Sequence, residues 1–380
     1  MLPANETGVS LTVFPMLTKN TWSFSPRSSF LRSQSVATLQ LILLLTCFTA
    51  FSLGNVDFAS GQTDPAPQTT DDEQEEKKTA PKNVTLKTKD KIQLVCTYFP
   101  PVAQPKPDAD KDKTDDKETD ENEAINGKRV IPYIILHDWE SSRADTAALA
   151  KFLSDKGNAV ITPDLRGHGE SITVAGFDRP LKAANFKTPE IATVLKDIEQ
   201  CKRFLVKKNN AGELNIDMLA IIAIGKTAPL AAAWSVSDWT AYAPYRDGIK
   251  QGQDVKSLIM IAPEKKLGPF SMNRIVSASI FTGDHALPTI VAWGTSSPKA
   301  KEIESILKAL KKKRPDRKGD STTQTLFQAP LRNSSRTGVQ IGSDESLDRL
   351  WDFFHETVSD KINENIDKLP WQDRRKKNKK

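Results

Sequence analysis

One run in the chain has residue types that could bind a phosphate or carry a nucleophile, namely Gly225-Lys226-Thr227 within LAIIAIGKTAPLAAAW. A phosphate-binding loop requires a glycine five residues before the Gly-Lys-Thr, so that backbone N–H groups can surround the anion. Ala220 occupies that position, and the residues from there to Ile224 form an apolar, largely β-branched run typical of a buried strand. The pattern therefore disfavours a phosphate site. It predicts a strand, a sharp turn and an alanine-rich helix.

The cysteines and histidines show no metal-ligand spacing, and the sequence predicts neither a metal nor another cofactor. Cys96 lies in a strand-like run, and Cys201 continues the apolar stripe of a helix that begins at Thr188-Pro189-Glu190. An oxidising compartment would permit a disulfide between them. Because the two thiols belong to separate apolar faces, we expect two separately buried cysteines.

Strand-like and helix-like segments alternate from residue 130 onward. The predicted strands cover 130–136, 159–163, 216–224, 257–262, 287–293 and 323–327, after an earlier strand-like run at 92–99. The predicted helices cover 145–156, a segment from 188, 298–313 and a closing segment from about 343. Alternation of this kind predicts an α/β fold with a mostly parallel central sheet and helices on both faces.

Two motifs give the chain a resemblance to a known superfamily. Leu136-His137-Asp138-Trp139, followed by the string from Pro163 to Ser171 (PDLRGHGES), resembles the α/β-hydrolases, in particular the serine aminopeptidase and monoacylglycerol lipase branch. In that family a His-Gly pair ends the third strand, and Asp-x-Arg-Gly-His-Gly-x-Ser follows the fourth. The resemblance implies an α/β-hydrolase fold. The short stretch at 264–286 implies little or no cap domain.

The resemblance also assigns positions for a catalytic triad and an oxyanion hole. Thr227 falls at the nucleophile position, Ser297 at the acid position, and no histidine stands at the base position within 329–336. The backbone N–H groups of Trp139 and Ala228 fall at the oxyanion-hole positions, with Asp138 replacing a glycine beside them. A nucleophile elbow holds its central residue at a positive φ, so the resemblance implies strain at Thr227. Thr227→Ala should then leave stability unchanged or higher.

Other side chains provide alternatives for the missing acid and base. Glu264, after the sixth predicted strand, could replace the acid, and His285 is the first candidate for a base drawn from elsewhere. His355 is expected at the border of the closing helix. We therefore expect a non-catalytic hydrolase-like protein with a binding or scaffolding role. The alternative is an active serine- or threonine-type hydrolase of esters or peptides that uses Thr227.

The N-terminal region predicts export. Arg27 and Arg32 precede an uncharged stretch at 33–56, and Ala59-Ser60-Gly61 offers small residues for a signal peptidase. The apolar stretch is almost long enough to span a bilayer, so an uncleaved signal anchor is the competing interpretation. Both place the globular part outside the cytoplasm, in the periplasm, secreted or anchored to the membrane.

Composition divides the chain into five predicted parts. Residues 1–61 form the N-terminal extension, 62–82 a disordered tether, and 83–362 the hydrolase-like domain, which contains an acidic disordered insertion at 100–128. Residues 363–380 form a solvated basic tail. The 380-residue chain has a net charge of +6, much of it in this tail. We expect no specific nucleic-acid binding, while a small-molecule or protein ligand and an acidic surface touched by the tail remain open as partners.

Overall fold

The structure is a computed structural model that describes residues 79–103, 126–240, 245–246, 248–314 and 324–375. The predicted signal or anchor at 33–56, almost all of the tether and most of the acidic insertion lie outside these residues. Within the described ranges, every helix is too short or too polar to cross a bilayer.

An eight-stranded sheet forms the centre of the domain, in the order β1-β2-β4-β3-β5-β6-β7-β8. The strands are β1 (Lys82–Lys87), β2 (Gln93–Phe99), β3 (Pro132–Leu136), β4 (Ala159–Pro163), β5 (Leu219–Ile224), β6 (Val255–Ile261), β7 (Thr289–Gly294) and β8 (Leu326–Leu331). Strand β2 runs antiparallel to both β1 and β4, and all the other neighbours are parallel. This topology confirms the predicted mostly parallel sheet.

Helices cover both faces of the sheet. They are α1 (Ala147–Asp155), α2 (Thr188–Thr193), α3 (Leu195–Asn210), α4 (Ala228–Thr240), α5 (Met272–Ile275), α6 (Ala300–Lys313), α7 (Gly338–Ser343) and α8 (Asp348–Asn363). Apolar side chains of α3, α4 and α6 form one core with the sheet, and those of α1, α7 and α8 form the other. Between β6 and β7 the chain adds a pair of two-residue strands, α5 and one short 3₁₀ turn, which confirms the absence of a large cap.

Two of the differences between predicted and observed boundaries concern the C-terminal elements. The last strand is Leu326–Leu331 rather than 323–327, because its parallel register with β7 pairs Thr289 with Leu326 and Gly294 with Leu331. The closing helix predicted from about 343 begins at Asp348 as α8, and a separate short helix, α7, and a 3₁₀ turn precede it. The position predicted for a catalytic base therefore begins after Leu331.

The register of the central strands decides which loops meet. Strands β3 and β5 are parallel neighbours, and Leu136 at the end of β3 pairs with Ala223 near the end of β5. Since the carboxyl ends of parallel strands lie at one edge of the sheet, the residues after β3 and those after β5 become neighbours. The candidate site is built at this edge.

The C-terminal segment packs on the domain as far as the structure describes it. Trp371 donates its indole N–H to the carbonyl of Asn209 at 3.2 Å, and the guanidinium of Arg374 binds both carboxylate oxygens of Asp254 at 2.5 and 2.8 Å. Arg374 is buried. The prediction of a solvated basic tail is therefore wrong for this segment, because buried aspartates provide Arg374 with partners. Residues 376–380 lie outside the described part.

Both cysteines of the described chain are free and buried, which confirms the predicted burial, but they are neighbours in one core rather than separately buried. Burial raises the pKa of the Cys201 thiol well above its usual value, with a further contribution from the neighbouring Cys96. The two side chains act as small apolar residues of the core between β2 and α3.

Candidate functional site

The turn after β5 is centred on Gly225. Gly225 has a φ of +58°, residues Gly225–Thr227 form a 3₁₀ turn, and α4 begins at Ala228. Thr227 does not have a positive φ, so the prediction of backbone strain at Thr227 is wrong. The chain reverses one residue after the strand ends, where a glycine adopts positive φ without a Cβ clash. Pro229 lies in the first turn of α4, where its missing N–H costs no helical hydrogen bond.

Thr227 is buried, and its hydroxyl faces backbone carbonyls. Thr227 Oγ1 lies 2.8 Å from the carbonyl oxygen of Ile224 and 3.0 Å from that of His137. A threonine hydroxyl has one proton to donate, and here both acceptors within reach are main-chain oxygens. Thr227 therefore stabilises the contact between the end of β3 and the turn after β5.

The carboxylate of Asp138 lies against the turn centred on Gly225. Its Oδ1 accepts hydrogen bonds from the N–H of Trp139 and from the N–H of Lys226, each at 2.8 Å. A Cβ built on Gly225 would overlap the Asp138 carboxylate. The carboxylate thus fills the position where two backbone N–H groups converge, after β3 and after β5.

The two predicted oxyanion-hole donors have different outcomes. Trp139 N–H donates to the carboxylate of Asp138. Ala228 N–H does not, because it donates to the carbonyl of Gly225 inside the 3₁₀ turn. Lys226 provides the second converging N–H instead. The small residues at alternate positions 223, 225 and 227 were the sequence signal for a turn centred on Gly225.

Charged side chains surround this carboxylate. Lys226 Nζ lies 3.1 Å from Glu140 Oε1, and Glu264 Oε2 lies 3.3 Å from Lys299 Nζ. Burial raises the pKa of Asp138, and the charge of Glu264 adds to that rise against the hydrogen bonds from the two N–H groups. Glu264, considered as a substitute acid, therefore has a lysine as its ion-pair partner.

His137 and His168 are buried behind the site. His137 accepts the N–H of Leu165 at Nε2 (3.0 Å), and its Nδ1 lies 2.7 Å from the carbonyl of Asp138. Burial lowers the pKa of His137 to about 4, so the ring is neutral near pH 7 with both nitrogens hydrogen-bonded. His168 stacks edge-on against Trp139, with ring centroids 4.6 Å apart, and burial lowers its pKa as well. Both rings stabilise the turns that follow β3 and β4.

The loops at the predicted acid and base positions meet. Thr295 N–H donates to the carbonyl of Leu331 at 3.0 Å, and Ser296 N–H donates to that of Ser334 at 2.8 Å. Ser297 is buried, and within the described ranges its hydroxyl has no hydrogen-bond partner. Residues 332–337 contain neither a carboxylate nor a histidine. The fold therefore brings the two loops together without the side chains of a triad.

The remaining histidines lie away from this edge. His285 is exposed and precedes β7, so the six residues of that strand separate it by roughly 20 Å from the edge that carries Gly225. The suggestion of His285 as a base for Thr227 is therefore wrong on geometry. His355 is half-buried on α8, with Nδ1 3.2 Å from Asn158 Nδ2, which agrees with the predicted border position.

Asp138→Asn is expected to raise stability at neutral pH. The pKa of Asp138 is higher in the folded than in the unfolded chain. The carboxyl therefore makes its full contribution to stability below the unfolded-state pKa of about 3.9, and this contribution is lost as the pH rises through the folded-state pKa. The asparagine stays neutral and keeps an oxygen acceptor for both N–H groups. Urea midpoints should coincide near pH 3 and separate in favour of the variant above about pH 4. The exposed Asp178→Asn is the control. A variant that loses stability relative to the native chain as the pH rises would contradict this assignment.

Comparisons with known proteins find distant structural similarity. No protein-family model and no curated protein matches the chain. An esterase from Pyrococcus furiosus is 12% identical with a TM-score of 0.47, covering 74% of this chain and 91% of that chain. An alpha-beta serine hydrolase homologue from Coxiella burnetii is 14% identical (TM-score 0.43, 71% and 95% covered), and an esterase from Pyrobaculum calidifontis is 13% identical (TM-score 0.46, 79% and 95% covered). The order and directions of its own eight strands, and not these similarities, give the chain an α/β-hydrolase fold.

Proposed function

We propose that this protein is an exported, non-catalytic α/β-hydrolase-fold protein with a binding or scaffolding role. The observation that carries the proposal is the Asp138 carboxylate held by the N–H groups of Trp139 and Lys226. In an acyl-transfer enzyme, two such N–H groups stabilise the negative charge that develops on the substrate oxygen. A carboxylate already bound there excludes that oxygen sterically and opposes its charge.

The side chains around the turn support the same proposal. Gly225, at the centre of the turn, offers no side chain for attack, and the Thr227 hydroxyl lies against two carbonyl oxygens. Near neutral pH, a hydroxyl without an adjacent base is a poor nucleophile. A working triad needs a base oriented by an acid, and the loops after β7 and β8 carry neither.

A binding role is supported by the charged side chains that are accessible to solvent at this edge of the sheet. Glu140 is exposed, and Glu264 and Lys226 are half-buried, so charged side chains face solvent around Asp138. Charged side chains in this arrangement favour a polar or charged ligand over an apolar one. The export part of the proposal rests on the sequence of residues 27–61.

Labelling with a fluorophosphonate probe tests the loss of catalysis. We expect the purified full-length protein to remain unlabelled under conditions that fully label an active serine hydrolase in the same tube. Thr227→Ala should leave any background esterase rate unchanged. It should also lower the free energy of unfolding by about 1–2 kcal/mol, since the buried hydroxyl and its hydrogen bond are lost. This reverses the stability expectation drawn from the sequence.

The alternative, an active hydrolase that uses Thr227, predicts the opposite results. Labelling of the native chain, together with a loss of turnover of about a hundredfold or more in Thr227→Ala, would overturn the proposal. Such a loss corresponds to about 2.7 kcal/mol of barrier and requires the hydroxyl to take part in the reaction. Circular dichroism of the variant must show a native fold, so that unfolding does not imitate loss of chemistry.

A further inference from the structure

A hairpin formed by residues 172–182, between β4 and α2, exposes an aromatic side chain to solvent. Leu181 N–H donates to the carbonyl of Ile172 at 2.8 Å, and Phe177 N–H donates to that of Val174 at 3.1 Å. Gly176 at the tip has a φ of +88°, and a Cβ built there would meet no atom within 4 Å. Phe177 is 70% exposed and Ile172 is 37% exposed, and Tyr245 is the one other exposed large apolar side chain of the described residues. The tip therefore carries apolar surface in open space.

A basic turn lies against this hairpin. Ala175 N–H donates to the carbonyl of Lys91, and Gln93 N–H donates to that of Thr173, both at 3.0 Å. Lys89 and Lys91, in the turn between β1 and β2, are exposed. The hairpin adds two exposed cations of its own, Arg179 and Lys182. Phe177 is thus accompanied by four basic side chains from two adjoining loops.

The acidic residues of this region do not offset that charge. Asp90, between the two lysines of the turn, is bound by Arg166 at 2.7 Å and by Lys196 at 3.2 Å. Burial would raise the pKa of Asp90, but the hydrogen bond from Arg166 and its other partners hold it well below the usual range. Asp178 is the one acidic residue of the hairpin itself. The surface around Phe177 is therefore positive overall.

We propose that the hairpin and the basic turn dock on an anionic lipid surface. Phe177 enters the headgroup region, while Lys89, Lys91, Arg179 and Lys182 face the negative lipid headgroups. An aromatic side chain among basic residues is a combination that peripheral membrane proteins use, because apolar burial and electrostatic attraction add. Phe177 is exposed beside Gly176, which has open space around it, and this arrangement suits insertion into a lipid surface.

The predicted N-terminal organisation agrees with this assignment. The apolar stretch at 33–56 precedes β1 by 25 residues. Retained as an anchor, that stretch would keep the hairpin near a bilayer, where weak contacts are effective. The docking proposal is independent of whether the domain is catalytic.

Hydrogen exchange of the full-length protein on vesicles tests the proposal. We expect exchange at residues 172–182 and 88–92 to slow about fivefold or more on vesicles with 30% phosphatidylserine, relative to pure phosphatidylcholine. This local readout does not depend on whether residues 33–56 also insert. Phe177→Ser and Lys89→Glu/Lys91→Glu should each remove this local protection.

Two controls separate this surface from general effects. Lys311→Glu/Lys312→Glu changes net charge equally at exposed positions of α6, and Tyr245→Ser removes the other exposed aromatic side chain. Both should keep the protection. Equal exchange on the two kinds of vesicle would overturn the proposal and leave an acidic protein as the ligand to be sought. Equal losses in both lysine pairs would overturn it too, since net charge would then explain the binding.

Discussion

Arg374→Ala is expected to lower the free energy of unfolding by about 3 kcal/mol, because it removes a buried guanidinium that two buried carboxylates share. The guanidinium of Arg374 binds both oxygens of Asp254, and its Nη2 lies 3.0 Å from Asp217. Although burial alone would raise the pKa of Asp254, the hydrogen bonds from Arg374 hold it well below its usual range. Lys202 at 2.6 Å and Lys250 at 3.6 Å also contact Asp254 and remain in the variant, which places the expected loss at the lower end of the range for a broken buried ion pair. Urea denaturation at pH 7 measures the difference.

The neighbouring arginine provides a matched control. Arg375 is exposed, and its ion pair is with Asp373, two residues away. Exposed ion pairs contribute little, so Arg375→Ala should leave the urea midpoint unchanged within error. Arg374→Met, which keeps some apolar volume but no charge, should resemble Arg374→Ala. Equal midpoints for Arg374→Ala and Arg375→Ala would show that the C-terminal segment does not close on Asp254 in solution.

Gly225→Ala is expected to destabilise the protein by about 3 kcal/mol or more, and so to test the geometry of the candidate site. The φ of +58° costs a residue with a Cβ about 1–2 kcal/mol. The new Cβ also overlaps the Asp138 carboxylate, which the N–H groups of Trp139 and Lys226 hold in place. Gly212→Ala is the control, since Gly212 has a φ of +81° but open space around it. It should show the backbone cost alone.

A double-mutant cycle isolates the contact between residues 225 and 138. Asp138→Gly removes the carboxylate, so Gly225→Ala should cost less in that background, with a coupling of about 1 kcal/mol or more. Strictly additive losses would mean that Asp138 does not lie over the turn, and the proposed blockage of the oxyanion position would lose its basis. Denaturant midpoints of the four proteins provide the measurement.

The architecture was predictable because its signals are local. Apolar runs of strand length that alternate with amphipathic segments report the burial of each segment, and together they specify a mostly parallel sheet. The turn motif after β4 and the burial of both cysteines follow from the same local patterns. The end of β8 was not predictable in this way, since Pro330 within an edge strand weakens the strand pattern and the pairing with β7 sets the boundary.

The local sequence patterns were sufficient to predict the fold class and the sharp turn after β5. The sequence was compatible with a turn centred on Thr227 or on Gly225, and the positive φ of Gly225 in the folded chain distinguishes the two. Only the tertiary structure decided what Asp138 and Arg374 do. Lys226 lies 88 residues from Asp138, and Arg374 lies 120 residues from Asp254. A polar or charged side chain acquires its role from a partner, and folding brings such distant partners together.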